Sequence, residues 1–248
     1  MIANIIGMLQ NTFSLKDLGP LSYFLGIEVK RSNANLMLSQ KKFILELLEN
    51  DGMRNASSCA TPIILAPKLF EDEDLLADTT MYRSIVASLL YICHTRPEFA
   101  FNVGKVAQFM HEPREIHLVT VKHILRYLAG TVDYRLMFLP SKSKFSVLAF
   151  ADADWGANIT DRRSISMYGV FLDNHLVAWS SKKQNYVSHL TMEAEYKSLV
   201  DVIAEVTWVA TQQLCANYVP AAHQVVDGFT KTLSKGAFEL FQGKIGVQ

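Results

Sequence analysis

The 248-residue chain is short of cysteine, of charge of one sign and of long apolar runs, and each shortage excludes a class of function. Cys59, Cys93 and Cys215 are odd in number and far apart. They show neither zinc-site spacing nor a disulfide framework, so reduced intracellular thiols are expected. The 24 basic residues balance 24 acidic ones, so the bulk field does not attract nucleic acid. Any such surface must come from local patches. The longest uncharged apolar run, Ser84–Cys93, is about half a membrane span. Met1-Ile-Ala-Asn4 has neither the basic segment nor the small-residue cleavage site of a signal peptide. The expectation is an intracellular protein, cytoplasmic or nuclear, with no membrane partner. At 50% hydrophobic residues the chain can bury a core, in one large domain or two small ones.

What the sequence does hold is organised around Phe145–Trp155 and Thr191–Tyr196. The first stretch reads as a buried strand ending in two carboxylates. Val147, Ala149 and Ala151 alternate with Leu148, Phe150, Asp152 and Asp154, so both aspartates share a face. The second opens a helix whose apolar stripe is Leu199, Val202, Ile203, Val206 and Ala210. Glu195 lies one turn before Leu199 on that side, whereas Glu193 is rotated roughly 120° away. A helix packed on the sheet is therefore expected to bring Glu195, and not Glu193, beside the strand's carboxylates. Clustered carboxylates raise one another's pKa unless a cation neutralises them. An all-oxygen set of this kind suits Mg²⁺ or Mn²⁺. The same residues also suit ordinary turn and helix-dipole chemistry, and the pattern alone leaves both readings open.

Other elements follow from local signals. Phe13–Val29 starts as a turn and becomes a strand, Ser32–Asn35 turns the chain, and Leu36–Ser39 returns as a hairpin partner. Ser39 can cap a helix striped by Phe43, Ile44, Leu47 and Leu48 and stopped by Gly52. Ser57–Ile63 and the acidic Glu71–Asp74 read as a polar, solvated connection. Helices are predicted over Tyr82–His94, Phe99–Met110 and Ile116–Ala129. Lys122, His123 and Arg126 form a small basic strip on the third, either a phosphate contact or a solvated face. His111, His117 and His123 lack partners at metal spacing. Pro140–Lys144 is a polar hinge. Ser164–Leu172 and Leu176–Ser181, turned by Asp173-Asn174, complete an antiparallel meander with the Asp152 strand. Arg162, Arg163, Lys182 and Lys183 gather at its strand ends as the best candidate patch for nucleic-acid phosphates. Trp155 and Trp179 read as core residues, and Trp208 lies away from its helix's apolar stripe.

Asp152-Ala-Asp-Trp155, Asp161-Arg-Arg-Ser164, Trp179-Ser-Ser-Lys-Lys-Gln184 and Glu193-Ala-Glu-Tyr196 stand in a telling order and spacing. They resemble the ribonuclease H domain of Ty1/copia-type retrotransposon Pol polyproteins. Tyr82-Arg-Ser84, Leu89-Leu-Tyr91, Thr95-Arg-Pro97, Phe109-Met110, Arg126-Tyr-Leu128 and Gly130-Thr131 extend the resemblance upstream. It implies that residues 1–65 are the end of a reverse transcriptase palm with a thumb-like hairpin and helix. Residues 66–140 would be a helical connection and 145–248 an RNase H-like domain. The fold class implied is α/β: an RNase H-like mixed sheet with flanking helices, preceded by a β-hairpin and a mainly helical thumb/connection region. Asp152 and Glu195 match the family's first two metal-binding carboxylates and Asp227 the fourth. The implied chemistry is Mg²⁺- or Mn²⁺-dependent two-metal hydrolysis of the RNA strand of an RNA–DNA hybrid.

The chain also departs from that pattern. The tyrosine-x-aspartate-aspartate motif that binds polymerase metals is missing, so DNA synthesis is not expected. Between Leu214 and Val219 the resemblance lacks a strand and a helix, and with them the third carboxylate. Met167 replaces a glycine, Val226 an alanine, and His189-Leu190 and Met192 a polar lead-in. Three readings follow: a catalytically impaired fragment with weak nucleic-acid affinity; a nuclease completed by Asp154 or by a partner chain; and a non-enzymatic nucleic-acid-binding or protein-interaction module, with a partner chain at the exposed sheet edge.

Overall fold

The computed structural model describes residues 2–13, 19–32, 35–62, 75–76, 78–140, 146–158, 161–209, 219, 224–229 and 233–248. The side chains of 2–4, 6, 11, 208, 209 and 227 are outside that description. So are Glu71–Asp74, Cys215 and the stretch 214–218. In chain order the helices are α1 (Ile2–Thr12), α2 (Lys41–Asn50), α3 (Thr79–Ile92), α4 (Ala100–Ala107), α5 (Glu115–Gly130), α6 (Thr191–Val209) and α7 (Lys235–Ile245). The strands are β1 (Tyr23–Phe24), β2 (Ile27–Arg31), β3 (Leu36–Ser39), β4 (Leu136–Phe138), β5 (Val147–Asp154), β6 (Ile165–Leu172) and β7 (His175–Lys183). The described residues also form two 3-10 turns, Pro97–Phe99 and Val225–Phe229. The class is α/β.

Turn chemistry sets the first sheet, ordered β1-β2-β3-β4. The β2–β3 hairpin forms where Ser32–Asn35 predicts it. The strand expected to run unbroken into Val29 is split. Leu25 and Gly26 both take left-handed backbone (φ 47° and 79°) and turn β1 back on β2. β4 arrives from about a hundred residues downstream to pair with β3, and Leu136 also bridges Val247 near the C-terminus. The second sheet is the expected meander β5-β6-β7, turned at Asp173 (φ 55°). Both sheets are antiparallel among the described residues. The parallel pairing that the expected mixed sheet requires is not among them.

Helical periodicity places Ile44 and Leu48 of α2, Val86 and Leu89 of α3, and Val121, Ile124 and Leu125 of α5 in one apolar cluster. That cluster runs on without a break into Met167, Phe171, Val226, Phe238 and Phe241. One core thus crosses the 140–144 stretch. The Thr95-Arg96-Pro97 motif sits inside it. Arg96 and Glu98 pair at 2.6 Å with side chains 1% and 0% exposed. The guanidinium also donates to the Thr131 carbonyl and hydroxyl at 2.8 Å each, and its carbon lies 5.3 Å from the Tyr134 ring centre. Tyr127 donates to Glu98 and accepts from Gln242 of α7, at 3.1 and 2.8 Å. This network ties α5 and α7 to the Pro97 turn. Among the described residues no helix is long and apolar enough to cross a membrane.

Candidate functional site

Strand alternation decides what β5 offers on each face. Ala149 and Ala151 pack with Val170, Val202 and Val206 beneath α6. Phe150 packs on the opposite side, in the large core, with Met167 and Phe171. Asp152 pairs with Met167 in the ladder and so shares the Phe150 face. Asp154 shares it too. Burial pushes the Lys105 ammonium of α4 below its ordinary range, and the Asp154 charge opposes that shift. Asp152 is half-buried and Asp154 exposed.

The buried line of α6 is Ala194, Ser198, Val202 and Val206, each one turn from the next. Glu195 is exposed at the helix start and Glu193 is half-buried. α6 covers the Ala149–Ala151 side of β5, opposite the face that carries Asp152. Glu193 braces the start of the helix. Its carboxylate accepts the His189 N–H at 2.8 Å and pairs with Lys197 at 3.0 Å. Those contacts, the Lys197 hydrogen bond foremost, hold its carboxyl below the usual range.

Asp227 lies in the Val225–Phe229 turn, which packs on the Asp152 face of the sheet. Val226 is fully buried there, and a Cβ on Gly169 of β6 would stand 2.9 Å from its Cγ1. Gln224 donates to the Ala151 carbonyl at 3.1 Å, and Ser181 to the Phe229 carbonyl at 2.8 Å. The Asp227 side chain lies outside the described residues. Among those described, no group of three or more His, Cys, Asp or Glu side chains is arranged to hold a metal ion.

The basic patch divides into two halves. Asp161 takes Lys183 at 2.9 Å and Arg163 at 3.6 Å. Partial burial pushes the Asp161 carboxyl up, but the Lys183 hydrogen bond, the Arg163 N–H and both cations together hold it below the usual range. Arg162, in left-handed backbone (φ 57°), and Lys182 are exposed and carry no ion pair among the described residues. The α5 strip is a structural strap: His123 meets the Thr61 carbonyl at 3.0 Å, and Arg126 donates to that of Ser57 at 2.7 Å. Trp155 is not a core residue. It is 44% exposed, with its indole N–H on the Ser188 carbonyl at 2.9 Å.

Sequence reasoning missed Gln184, which sets the position of α6. Its amide donates to Ser166 of β6 at 2.7 Å and to the Ala194 carbonyl at 3.0 Å, and accepts from Ser188 at 3.0 Å. Ser198 adds a 2.6 Å bond to the Met167 carbonyl. A glutamine closing the strand motif Trp179–Gln184 was the one signal available.

A family profile described as Reverse transcriptase (RNA-dependent DNA polymerase) matches residues 1–65. The chain is 36% identical, over its whole length, to the retrovirus-related Pol polyprotein from transposon RE1 of Arabidopsis thaliana. It is 35% identical over 84% of its length to that from transposon TNT 1-94 of Nicotiana tabacum. It spans 20% of the first relative and 16% of the second. An uncharacterized mitochondrial protein of Arabidopsis thaliana is 39% identical over 204 residues, 82% of this chain and 85% of that protein. The RE1 match runs over 299 positions against the 248 residues here, so 51 positions of that relative face no residue of this chain. The mitochondrial match, at 204 positions for 82% of the chain, leaves no room for such a gap within it. No solved structure matches the chain.

Proposed function

The chain belongs to the copia-type retrotransposon Pol polyproteins, and from that premise we propose that it joins a reverse transcriptase end to an RNase H-like domain whose hybrid-cleaving site is impaired. One observation supports the impairment: the RE1 match leaves 51 positions that face no residue of this chain, and the resemblance puts the third carboxylate among the residues missing between Leu214 and Val219. The β5–β7 meander followed by α6 supports the RNase H-like reading of residues 145–248.

Mg²⁺ or Mn²⁺ would need Asp152, Glu195 and Asp227 to converge. Among the described residues no three carboxylates are grouped for such an ion, and the Asp227 side chain lies outside them, so no hydrolytic step is assigned to this site. The chain's own cations give it a different capacity. Arg162 and Lys182 are exposed and carry no ion pair among the described residues, which supports a weak, salt-sensitive meeting with phosphates of an RNA–DNA hybrid, while Asp161 offsets one of the two positive charges of Arg163 and Lys183. Residues 1–65 carry no polymerase metal motif, and no DNA synthesis is assigned to them.

The test is incubation of the purified chain with a labelled RNA–DNA hybrid and Mn²⁺, beside an Asp152→Asn variant. The expected result is no cleavage above the variant's background. Binding should weaken steeply with salt and fall further in an Arg162→Ala/Lys182→Ala double variant. Cleavage by the unaltered chain that Asp152→Asn abolishes would sink this reading and favour a nuclease completed by Asp154 or a partner.

A further inference from the structure

The chain leaving α2 runs over α5 and carries a serine with an arginine at a set distance before it. Arginine three residues before a serine or threonine is a charge pattern that protein kinases select, and it occurs twice. The two places are Arg54-Asn-Ala-Ser57 and Arg163-Ser-Ile-Ser166. The fold separates them. Ser166 lies in β6 at 6% exposure, and its hydroxyl accepts the Gln184 amide at 2.7 Å. Ser57 is exposed in an irregular stretch, and Arg54 and Asn55 are exposed with it. Arg54 meets Glu49 at 3.1 Å with both side chains more than half exposed, a pairing that solvent screens and a binding cleft can displace.

What stands beside Ser57 sets this stretch apart from an ordinary exposed loop. Arg126 of α5 donates from Nε to the Ser57 carbonyl at 2.7 Å. That contact uses one of the five N–H groups of the guanidinium, which makes no ion pair among the described residues. Lys122, one turn earlier on the same face of α5, is exposed. The Arg126 charge also reaches along the strap: burial pushes the Cys59 thiol up, and Arg126 opposes that shift. His123 meets the Thr61 carbonyl at 3.0 Å, and a Cβ on Gly130 would stand 2.6 Å from that of Ser58. Side chains thus seat residues 57–61 against α5, and few such contacts have to open for the stretch to enter an enzyme's cleft. The last turns of α5 present the negative end of a helix dipole, roughly half an elementary charge. A whole guanidinium charge at hydrogen-bond distance outweighs it.

We propose that Ser57 is a phosphorylation site for an arginine-directed serine kinase, and that Arg126 captures the phosphate and clamps the chain after α2 onto α5. In the transfer, Ser57 Oγ bonds to the γ-phosphorus of ATP as the bond from that phosphorus to the β–γ bridging oxygen breaks. ADP leaves with the electron pair, and the hydroxyl proton passes to a base of the kinase. The phosphate offers the guanidinium three charged acceptor oxygens in place of one neutral carbonyl, so the contact becomes shorter and stronger.

The full chain is incubated with MgATP and a purified kinase that selects arginine three residues before its acceptor, and incorporation is located by mass spectrometry. One phosphate on Ser57 is expected, absent in Ser57→Ala and added at least tenfold more slowly in Arg54→Ala. A synthetic peptide of residues 50–61 shows whether the kinase accepts the sequence itself. Capture is read by phosphorus NMR. Phosphoserine in the full chain should titrate at lower pH than in the phosphorylated peptide, because a neighbouring cation favours the dianion. Arg126→Gln should bring the two titrations together. Amides of residues 57–61 should exchange at least fivefold more slowly in the phosphorylated chain, a gain that Arg126→Gln also removes. Ser57 and Arg54 are exposed, so both variants at these positions should unfold at the midpoint of the unaltered chain. A peptide that the kinase ignores, a peptide modified while the chain is not, or incorporation at Ser166 in place of Ser57 overturns the site. Phosphate on Ser57 that titrates as it does in the peptide overturns the clamp.

Discussion

The two faces of the β5–β7 sheet are covered very unequally. Below, Met167, Phe171 and Leu176 enter a core shared with α2, α3, α5, α7 and the Val225–Phe229 turn. Above, among the described residues, a single helix closes a cluster with only Val170, Val202 and Val206 fully buried. Burial of apolar area is the main favourable term in folding, so the lower face holds the sheet and the upper face holds little. Asp152 belongs to the well-held face, and Glu195 to the helix that closes the thin one.

The largest expected effect lies in the well-held half. Arg96→Met would strand Glu98 without its cation, and Glu98 Oε2 already has no hydrogen-bond partner among the described residues. Uncompensated burial of that kind costs about 3–5 kcal/mol. Urea unfolding should show this as a large drop in midpoint. Arg96→Met combined with Glu98→Leu should recover much of it, because the pair's desolvation disappears with its attraction. A loss below about 1 kcal/mol for the single change would show that the lower half is not held as described.

A paired truncation sharpens the contrast. Leu125→Ala, at a side chain 1% exposed in the shared core, should cost about 2–5 kcal/mol. Val206→Ala, in the thin upper cluster, should cost about 1–2 kcal/mol. Hydrogen exchange should also separate them, with Val206→Ala quickening the amides of α6 while those of α5 stay protected. Equal costs and equal exchange would erase the difference between the faces.

Much of this was legible in the sequence wherever the signal was local. Helices α2, α3 and α5 fall close to where they are predicted, and Asp173-Asn174 turns the β6–β7 hairpin. What escaped was non-local. Nothing near Leu136 announces that it pairs with Leu38 and bridges Val247. Leu25 takes left-handed backbone that its side chain disfavours, so the β1–β2 turn was hidden inside an apolar run. At the candidate site, alternation put Asp152 and Asp154 on one face, as the strand register shows. That pattern does not state which face of a strand a helix will cover, which depends on the rest of the core. Counting cations in the basic patch overlooked Asp161, one residue before the arginines, which pairs with Arg163 and Lys183.

The smallest expected effect comes from His123, on the strap that closes residues 57–61 over α5. Burial depresses its pKa first, and the neighbouring Arg126 cation adds to that, while the Thr61 carbonyl contact opposes both. A histidine whose folded pKa lies below its ordinary value favours the folded state in its neutral form. Its contribution is present above the ordinary pKa and is lost as pH falls through the lowered one. The imidazole is only half-buried and its contact closes a short strap, so the effect is local loosening rather than global unfolding. Between pH 7 and pH 5, amides of residues 57–61 should lose protection, after correction for intrinsic exchange, while those of β6 keep theirs. His123→Gln, which keeps an N–H for the Thr61 carbonyl but cannot titrate, should make the strap indifferent to pH over that range. A strap that loosens equally in this variant would place the titration elsewhere and remove His123 from the comparison.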